Sequence, residues 1–172
     1  MKKEVPKKYC QAFDTPDSLS DRNLQKILKF YLLNCPVPGR SVRGKTFCEY
    51  GFVGTSSFSK LKKALLKASN GNLRNNYNPV KREDLERKYA EVETIGPPNE
   101  YCVFLITEGV MESLFVAIRN AFAHGSFNVK TYSGTRIYFL VNYKKYKKAQ
   151  IALQEETLLR WIDIIKAGPI SS

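Results

Sequence analysis

The chain has 172 residues, of which 43% are hydrophobic and 12% aromatic. That composition excludes an intrinsically disordered protein and predicts a globular domain with a substantial core. The formal net charge of +12 favours a polyanionic partner, and nucleic acid more than a membrane surface. No apolar run approaches the ~20 residues that cross a bilayer, and no apolar signal segment follows the basic start of the chain. We therefore expect a cytoplasmic protein without membrane contact.

The N-terminal half predicts three helices. Residues 1–17, with four lysines and two prolines, indicate an arm that precedes a single domain over residues 18–168. A first helix follows the capping-box-like segment Ser18–Asp21, and a second begins at Ser56 or Ser57 and ends at Asn70. A short helix is expected over residues 82–92, whereas residues 36–55 and 71–80 are expected to be loops. The apolar positions that indicate these helices are Leu24, Ile27, Leu28, Tyr31 and Leu32; Phe58, Leu61, Leu65 and Ala68; and Leu85, Tyr89 and Val92.

The C-terminal half predicts two helices on either side of a hairpin. Residues 99–123 indicate one long apolar helix, although the run Tyr101–Thr107 alone is also compatible with a buried strand. A hairpin is expected over residues 127–141, with Ser133–Gly134 at its turn. A final helix is expected from Lys144 to the break at Gly168–Pro169. The fold class expected from these elements is mainly α, a bundle of four to five helices with a small β-hairpin between the last two.

The only histidine of the chain, His124, follows Arg119 and Asn120 at the end of the long predicted helix. Five residues along a helix correspond to about 140° of separation, so the two side chains meet only if the helix ends near His124 or if a second subunit contributes its own pair. Histidine transfers protons near neutral pH, and the guanidinium fork of arginine matches phosphate oxygens. Together they suit the cleavage of RNA, which carries its own nucleophile in the 2′-hydroxyl.

The segment Arg119-Asn120-x-x-Ala123-His124-Gly125 resembles the R-N-x-x-x-H signature of the HEPN superfamily. A hairpin and a last amphipathic helix follow this signature in many members, and the order predicted for residues 125–166 is similar. The resemblance implies a helical bundle that forms homodimers. It also implies a metal-independent endoribonuclease of a toxin–antitoxin or abortive-infection defence system, with a composite site across the dimer. Carried over by position, Arg119 and His124 would be catalytic, Asn120 would support them, and an antitoxin or immunity protein would be a possible partner.

Other functions remain open at this point. A non-catalytic HEPN module that binds RNA, nucleotides or a partner protein would use a basic, tyrosine-containing cluster for phosphate contacts and stacking. A cysteine hydrolase would pair Cys102 or Cys48 with His124, and a purely structural helical dimer would use none of these residues. The irregular spacing of the four cysteines predicts reduced thiols and no zinc site, and we expect no cofactor. The RNA-binding cluster consists of Lys144, Lys145, Tyr146, Lys147 and Lys148.

Overall fold

A computed structural model describes residues 20–37, 39, 45–70 and 73–169, and places a five-stranded sheet at the centre of the fold. The strands follow the order β1 (Tyr77–Val80), β2 (Tyr101–Leu105), β5 (Lys147–Gln154), β4 (Thr135–Tyr143) and β3 (Phe127–Tyr132). Strands β1 and β2 are parallel, and the other neighbouring pairs are antiparallel. The fold is therefore α/β, and the prediction of a mainly α-helical bundle is wrong. The elements are α1 (Arg22–Leu28, continued by a π-helical turn over Lys29–Asn34), α2 (Gly54–Ala68), β1 (Tyr77–Val80), α3 (Leu85–Glu93), β2 (Tyr101–Leu105), α4 (Val110–Ala123), β3 (Phe127–Tyr132), β4 (Thr135–Tyr143), β5 (Lys147–Gln154) and α5 (Glu155–Ala167).

The long helix predicted over residues 99–123 is in fact two elements, β2 and α4. Strand β2 lies between β1 and β5, so both of its edges are hydrogen-bonded and its residues 101–104 are buried. A strand buried on both faces carries a continuous apolar run, which explains the ambiguity of the sequence at this point. The chain turns before α4 where the backbone N–H groups of Thr107 and Glu108 donate to Ser113 Oγ, at 3.0 and 3.3 Å.

The helix predicted from Lys144 begins only at Glu155, because residues 147–154 form β5. Every second side chain of this strand is buried against the helices: Ala149, Ile151 and Leu153 are at most 1% exposed. The predicted hairpin is confirmed as β3 and β4, which pair from Phe127 to Tyr132. The hairpin is not a small separate element, however, because the other edge of β4 pairs with β5.

The three N-terminal helices are confirmed, with altered bounds. Asp21 caps α1 by accepting the N–H of Leu24 at 2.9 Å. The predicted loop over residues 71–80 instead contains β1, in which Pro79 is tolerated because β1 is an edge strand that pairs only with β2. The arm expected over residues 1–17 and the basic loop residues 40–44 lie outside the described residues.

The helices divide unequally between the two faces of the sheet. Helices α1, α2, α4 and α5 cover one face and form the main core, in which fully buried Trp161 donates from Nε1 to the carbonyl of Leu65 at 3.0 Å. Of the described helices, α3 alone contributes to the apolar cluster on the other face, against β2. Among the residues that the structure describes, no helix has the length and apolarity needed to cross a membrane.

Glu100, at the start of β2, is a fully buried carboxyl group whose Oε1 accepts the N–H of Gln154 at 2.8 Å. Burial raises the pKa of Glu100 to about 7, more than hydrogen bonds from Thr157 and Gln154 lower it. The folded protein therefore binds this proton more tightly than the unfolded chain does. The resulting stabilisation is complete below about pH 4.5 and is lost as the pH rises to about 7.

We expect Glu100→Gln to remove this dependence on pH. Relative to the wild type, the variant's free energy of unfolding should rise by about 3 kcal/mol between about pH 4.5 and about pH 8. Urea unfolding at several pH values measures the difference, and the exposed Glu93→Gln serves as the control. Parallel stability profiles for the wild type and Glu100→Gln would contradict the prediction.

Candidate nucleic-acid cleft

The end of α4 turns His124 away from the helix axis. The helix ends at Ala123, His124 is its C-cap residue, and Gly125 follows with φ of 62°, a conformation that glycine adopts without strain. The N–H of Ser126 closes this turn by donating to the carbonyl of Ala121 at 2.8 Å. The imidazole is exposed. The helix therefore ends next to His124, as the first of the two arrangements requires.

Arg119 lies four residues before the end of α4 at Ala123, where it is half-buried. Its Nη1 donates to the side-chain oxygen of Asn120 at 3.2 Å, and its Nε is buried without a hydrogen-bond partner. No carboxylate among the described residues forms an ion pair with this guanidinium. The remaining donors of Arg119 are therefore not committed to any carboxylate of the described residues.

A cleft of about 620 Å³ brings together residues from four elements. Its walls are the end of β2, one side of α4, the end of β4 and the start of β5, and Gly39 also contributes. Its volume is typical of sites that bind ligands. The predicted site residues that line it are Arg119, Asn120, His124, Lys144 and Lys148.

Three residues of the predicted RNA-binding cluster are not part of this cleft. Lys147 donates to Gln150 Oε1 at 2.6 Å, and its Nζ lies 3.9 Å from the centroid of the Tyr89 ring. Tyr146 contacts the guanidinium of Arg82, 4.6 Å from the ring centroid, and the ammonium of Lys148, 5.5 Å from it. Lys145 is exposed outside the cleft. The structure therefore divides the cluster, because residues 144–148 form a turn and the start of a strand rather than one face of a helix.

Positive charge dominates the described lining of the cleft. Arg119, Lys144 and Lys148 are cationic, whereas Glu108 is the one carboxylate among the described lining residues. None of the three cations forms an ion pair with a described carboxylate. Such a surface attracts phosphate groups.

The structure does not support a cysteine nucleophile next to His124. Cys102 is fully buried, and burial raises the pKa of its thiol well above the usual range. Cys48 is exposed, but neither cysteine lines the cleft. Within residues 20–37, 39, 45–70 and 73–169, no group of three or more potential metal ligands is present.

Several polar residues of the cleft were not among the site residues predicted from the sequence. They occupy strand ends and the start of α4, and the signal that identifies them is their position directly after β2 or at the end of β4. A single helix over residues 99–123 contains no strand end at residue 105, so the helix prediction gives no reason to place site residues there. The missed residues are Thr107, Glu108, Ser113, Asn142 and Tyr143.

No family model, curated protein or solved structure matches the chain. The resemblance to the HEPN superfamily therefore rests on residues 119–125, because β5 separates the hairpin from the last helix and the helical bundle that the resemblance implies is not the fold of this chain.

Proposed function

We propose that the cleft binds single-stranded RNA and cleaves it by transesterification, with the 2′-hydroxyl of the RNA as the nucleophile. The observation that supports this most strongly is that Arg119, Asn120 and His124 line the same basic cleft as Lys144 and Lys148. A proton-transfer group, a guanidinium that forms no ion pair with a described carboxylate, and lysines for flanking phosphates are thus available to one ligand.

In the proposed reaction, the imidazole of His124 accepts the proton of the 2′-hydroxyl as the 2′-oxygen attacks phosphorus. The bond between the 2′-oxygen and phosphorus forms, and the bond from phosphorus to the 5′-oxygen breaks. The products are a 2′,3′-cyclic phosphate and a free 5′-hydroxyl. Arg119 stabilises the charge that develops on the non-bridging oxygens, and Asn120 orients its guanidinium.

The leaving 5′-oxygen also needs a proton. Within the described cleft, the ammonium groups of Lys144 and Lys148 are available donors. In the homodimer that the HEPN resemblance implies, the imidazole of a second copy would serve instead. Either donor makes the reaction possible without a metal ion.

The test compares an RNA oligonucleotide with DNA of the same sequence, each incubated with the purified protein in EDTA. The proposal requires both to bind and only the RNA to be cut, with cyclic phosphate on the upstream fragment. Cleavage of the DNA would contradict the role of the 2′-hydroxyl, as would RNA fragments with 5′-phosphate ends.

Replacing the two cleft lysines should weaken binding of RNA in a salt-dependent way. If Lys144 and Lys148 each contact one phosphate, Lys144→Gln/Lys148→Gln should reduce the slope of log affinity against log salt by about 1.4. Fluorescence anisotropy over a range of salt concentrations measures this slope. Lys63→Gln/Lys67→Gln, with two exposed lysines of α2, is the matched control. An equal loss in both double variants would show only a general effect of charge.

A binding module without catalysis is the second candidate. It is favoured by one observation: the chain contains a single histidine, so one copy supplies only one imidazole for two proton transfers. This candidate predicts salt-sensitive RNA binding, no cyclic-phosphate product and unchanged affinity in His124→Ala.

A further inference from the structure

The second face of the sheet carries another cleft, of about 440 Å³, between the end of α3 and strands β3, β4 and β5. It is separate from the basic cleft, although both use the same two strands. Val141 and Gln150 line it, whereas the neighbouring Asn142 and Lys148 line the basic cleft. The two clefts are therefore close to each other along β4 and β5, and consecutive residues of β4 point to opposite faces.

Two aromatic rings stand side by side in this second cleft. Tyr132 and Phe139 are half-buried, with their ring centroids 6.4 Å apart and their planes at 74°. Half-buried rings on the surface of a sheet offer faces or edges to a flat ligand, and aromatic platforms of this kind bind the bases of single strands without sequence preference.

Among the polar groups of the cleft, Gln150 is fixed by hydrogen bonds and Asn128 has an unsatisfied oxygen. Gln150 is held on both sides, by the ammonium of Lys147 at 2.6 Å and by the hydroxyl of Tyr101 at 3.4 Å. Asn128 also lines the cleft, and its Oδ1 is buried with no hydrogen-bond partner among the described residues. A buried acceptor without a donor is unfavourable, so a ligand that donates an N–H group to this oxygen would bind more tightly.

We infer that this second cleft binds a nucleobase of single-stranded RNA, an inference that rests on the proposed function for the identity of the polymer. The base packs against Tyr132 and Phe139 and donates an N–H group to Asn128. The exposed ammonium of Lys130, at the edge of the cleft, binds a neighbouring phosphate. The cleft thus adds affinity for a base to the affinity of the first cleft for phosphates.

The test measures binding of a single-stranded RNA oligonucleotide, and separately of heparin, a polyanion without bases, to Phe139→Leu. We expect the variant to lose about 5- to 150-fold in RNA affinity, the range found for one stacked base, with heparin affinity unchanged. Phe58→Leu, at a half-buried phenylalanine of α2, is the matched control and should change neither. Equal losses for RNA and heparin, or no loss of RNA affinity, would overturn the inference.

Photo-crosslinking provides a second measurement that does not depend on the folding of a cleft variant. His124→Ala, used so that the RNA stays intact, is irradiated with an oligonucleotide that contains 5-iodouridine. We expect crosslinks to Tyr132 or Phe139, and crosslinks that map only outside this cleft would contradict the inference. Both experiments measure binding, so they remain informative if the protein cuts no RNA at all.

Discussion

His124→Ala lowers the rate constant of RNA cleavage by about 10²- to 10⁴-fold, the contribution typical of a positioned general acid or base. The loss is expected because His124 is the only imidazole of the chain and lines the basic cleft. Its side chain is exposed at the end of α4, so removing it takes away no core contact and the stability should change little. Single-turnover cleavage of a labelled oligonucleotide measures the rate constant.

Two further measurements on the same variant separate a catalytic role from a structural one. RNA affinity should stay close to that of the wild type, because the phosphate contacts of Arg119, Lys144 and Lys148 remain. The urea unfolding curve should also be unchanged. Cleavage by His124→Ala at the wild-type rate would show that the nuclease site lies elsewhere.

Arg119→Ala is expected to lower the same rate constant by about 10²- to 10³-fold, the range for loss of one preorganised donor to a developing anion. Arg119→Lys should recover only part of the activity, because an ammonium lacks the planar fork that holds two phosphate oxygens. The rate constant at saturating RNA should fall more than the affinity falls, since the interaction is strongest in the transition state.

Added guanidinium ion provides the control for Arg119→Ala. If the missing group acts on the phosphate, free guanidinium at concentrations below those that unfold the protein should partly restore cleavage. The same addition should not accelerate Arg74→Ala, a variant at an exposed arginine outside the cleft. Loss of activity without rescue, together with a lowered stability, would indicate that Arg119 supports the fold rather than the reaction.

Sequence patterns predicted the amphipathic helices well and the sheet poorly. Leu61 and Leu65 in α2, or Leu85 and Tyr89 in α3, recur at helical spacing because each helix buries one side only. The run Tyr101–Leu105 has no such periodicity, because β2 is buried on both faces. Cys102 and Phe104 belong to the main core, and Tyr101 and Val103 belong to the cluster against α3. The strand conformation of this run depends on its pairing with β1 and β5, and a local sequence pattern does not contain that information.

Strand β5 did carry a local signal. Ala149, Ile151 and Leu153 recur at every second position and belong to the main core. The alternation with polar residues is incomplete, because Ala152 lies among them and is buried on the other face. The four lysines just before this alternation favoured the first turn of a helix instead. Strand β1 carried little signal, since Pro79 and Asn78 are poor strand formers and are accommodated only at the edge of the sheet.

The candidate site was predictable where it depended on one local segment. Arg119, Asn120 and His124 follow one another at the end of α4, and their common location in one cleft required only that the helix end there. Asn142, near the end of β4, and Glu108, after the end of β2, line the same cleft. Those contributions depend on the order of strands in the sheet, which a single sequence did not reveal.

A crystal structure of His124→Ala with an uncut single-stranded RNA tests the proposed site most directly. We expect a phosphate of the RNA within hydrogen-bond distance of the Arg119 guanidinium, with the adjacent 2′-hydroxyl facing the position that the imidazole occupies in the wild type. RNA bound away from the basic cleft would contradict the proposal, even if the protein cleaved it.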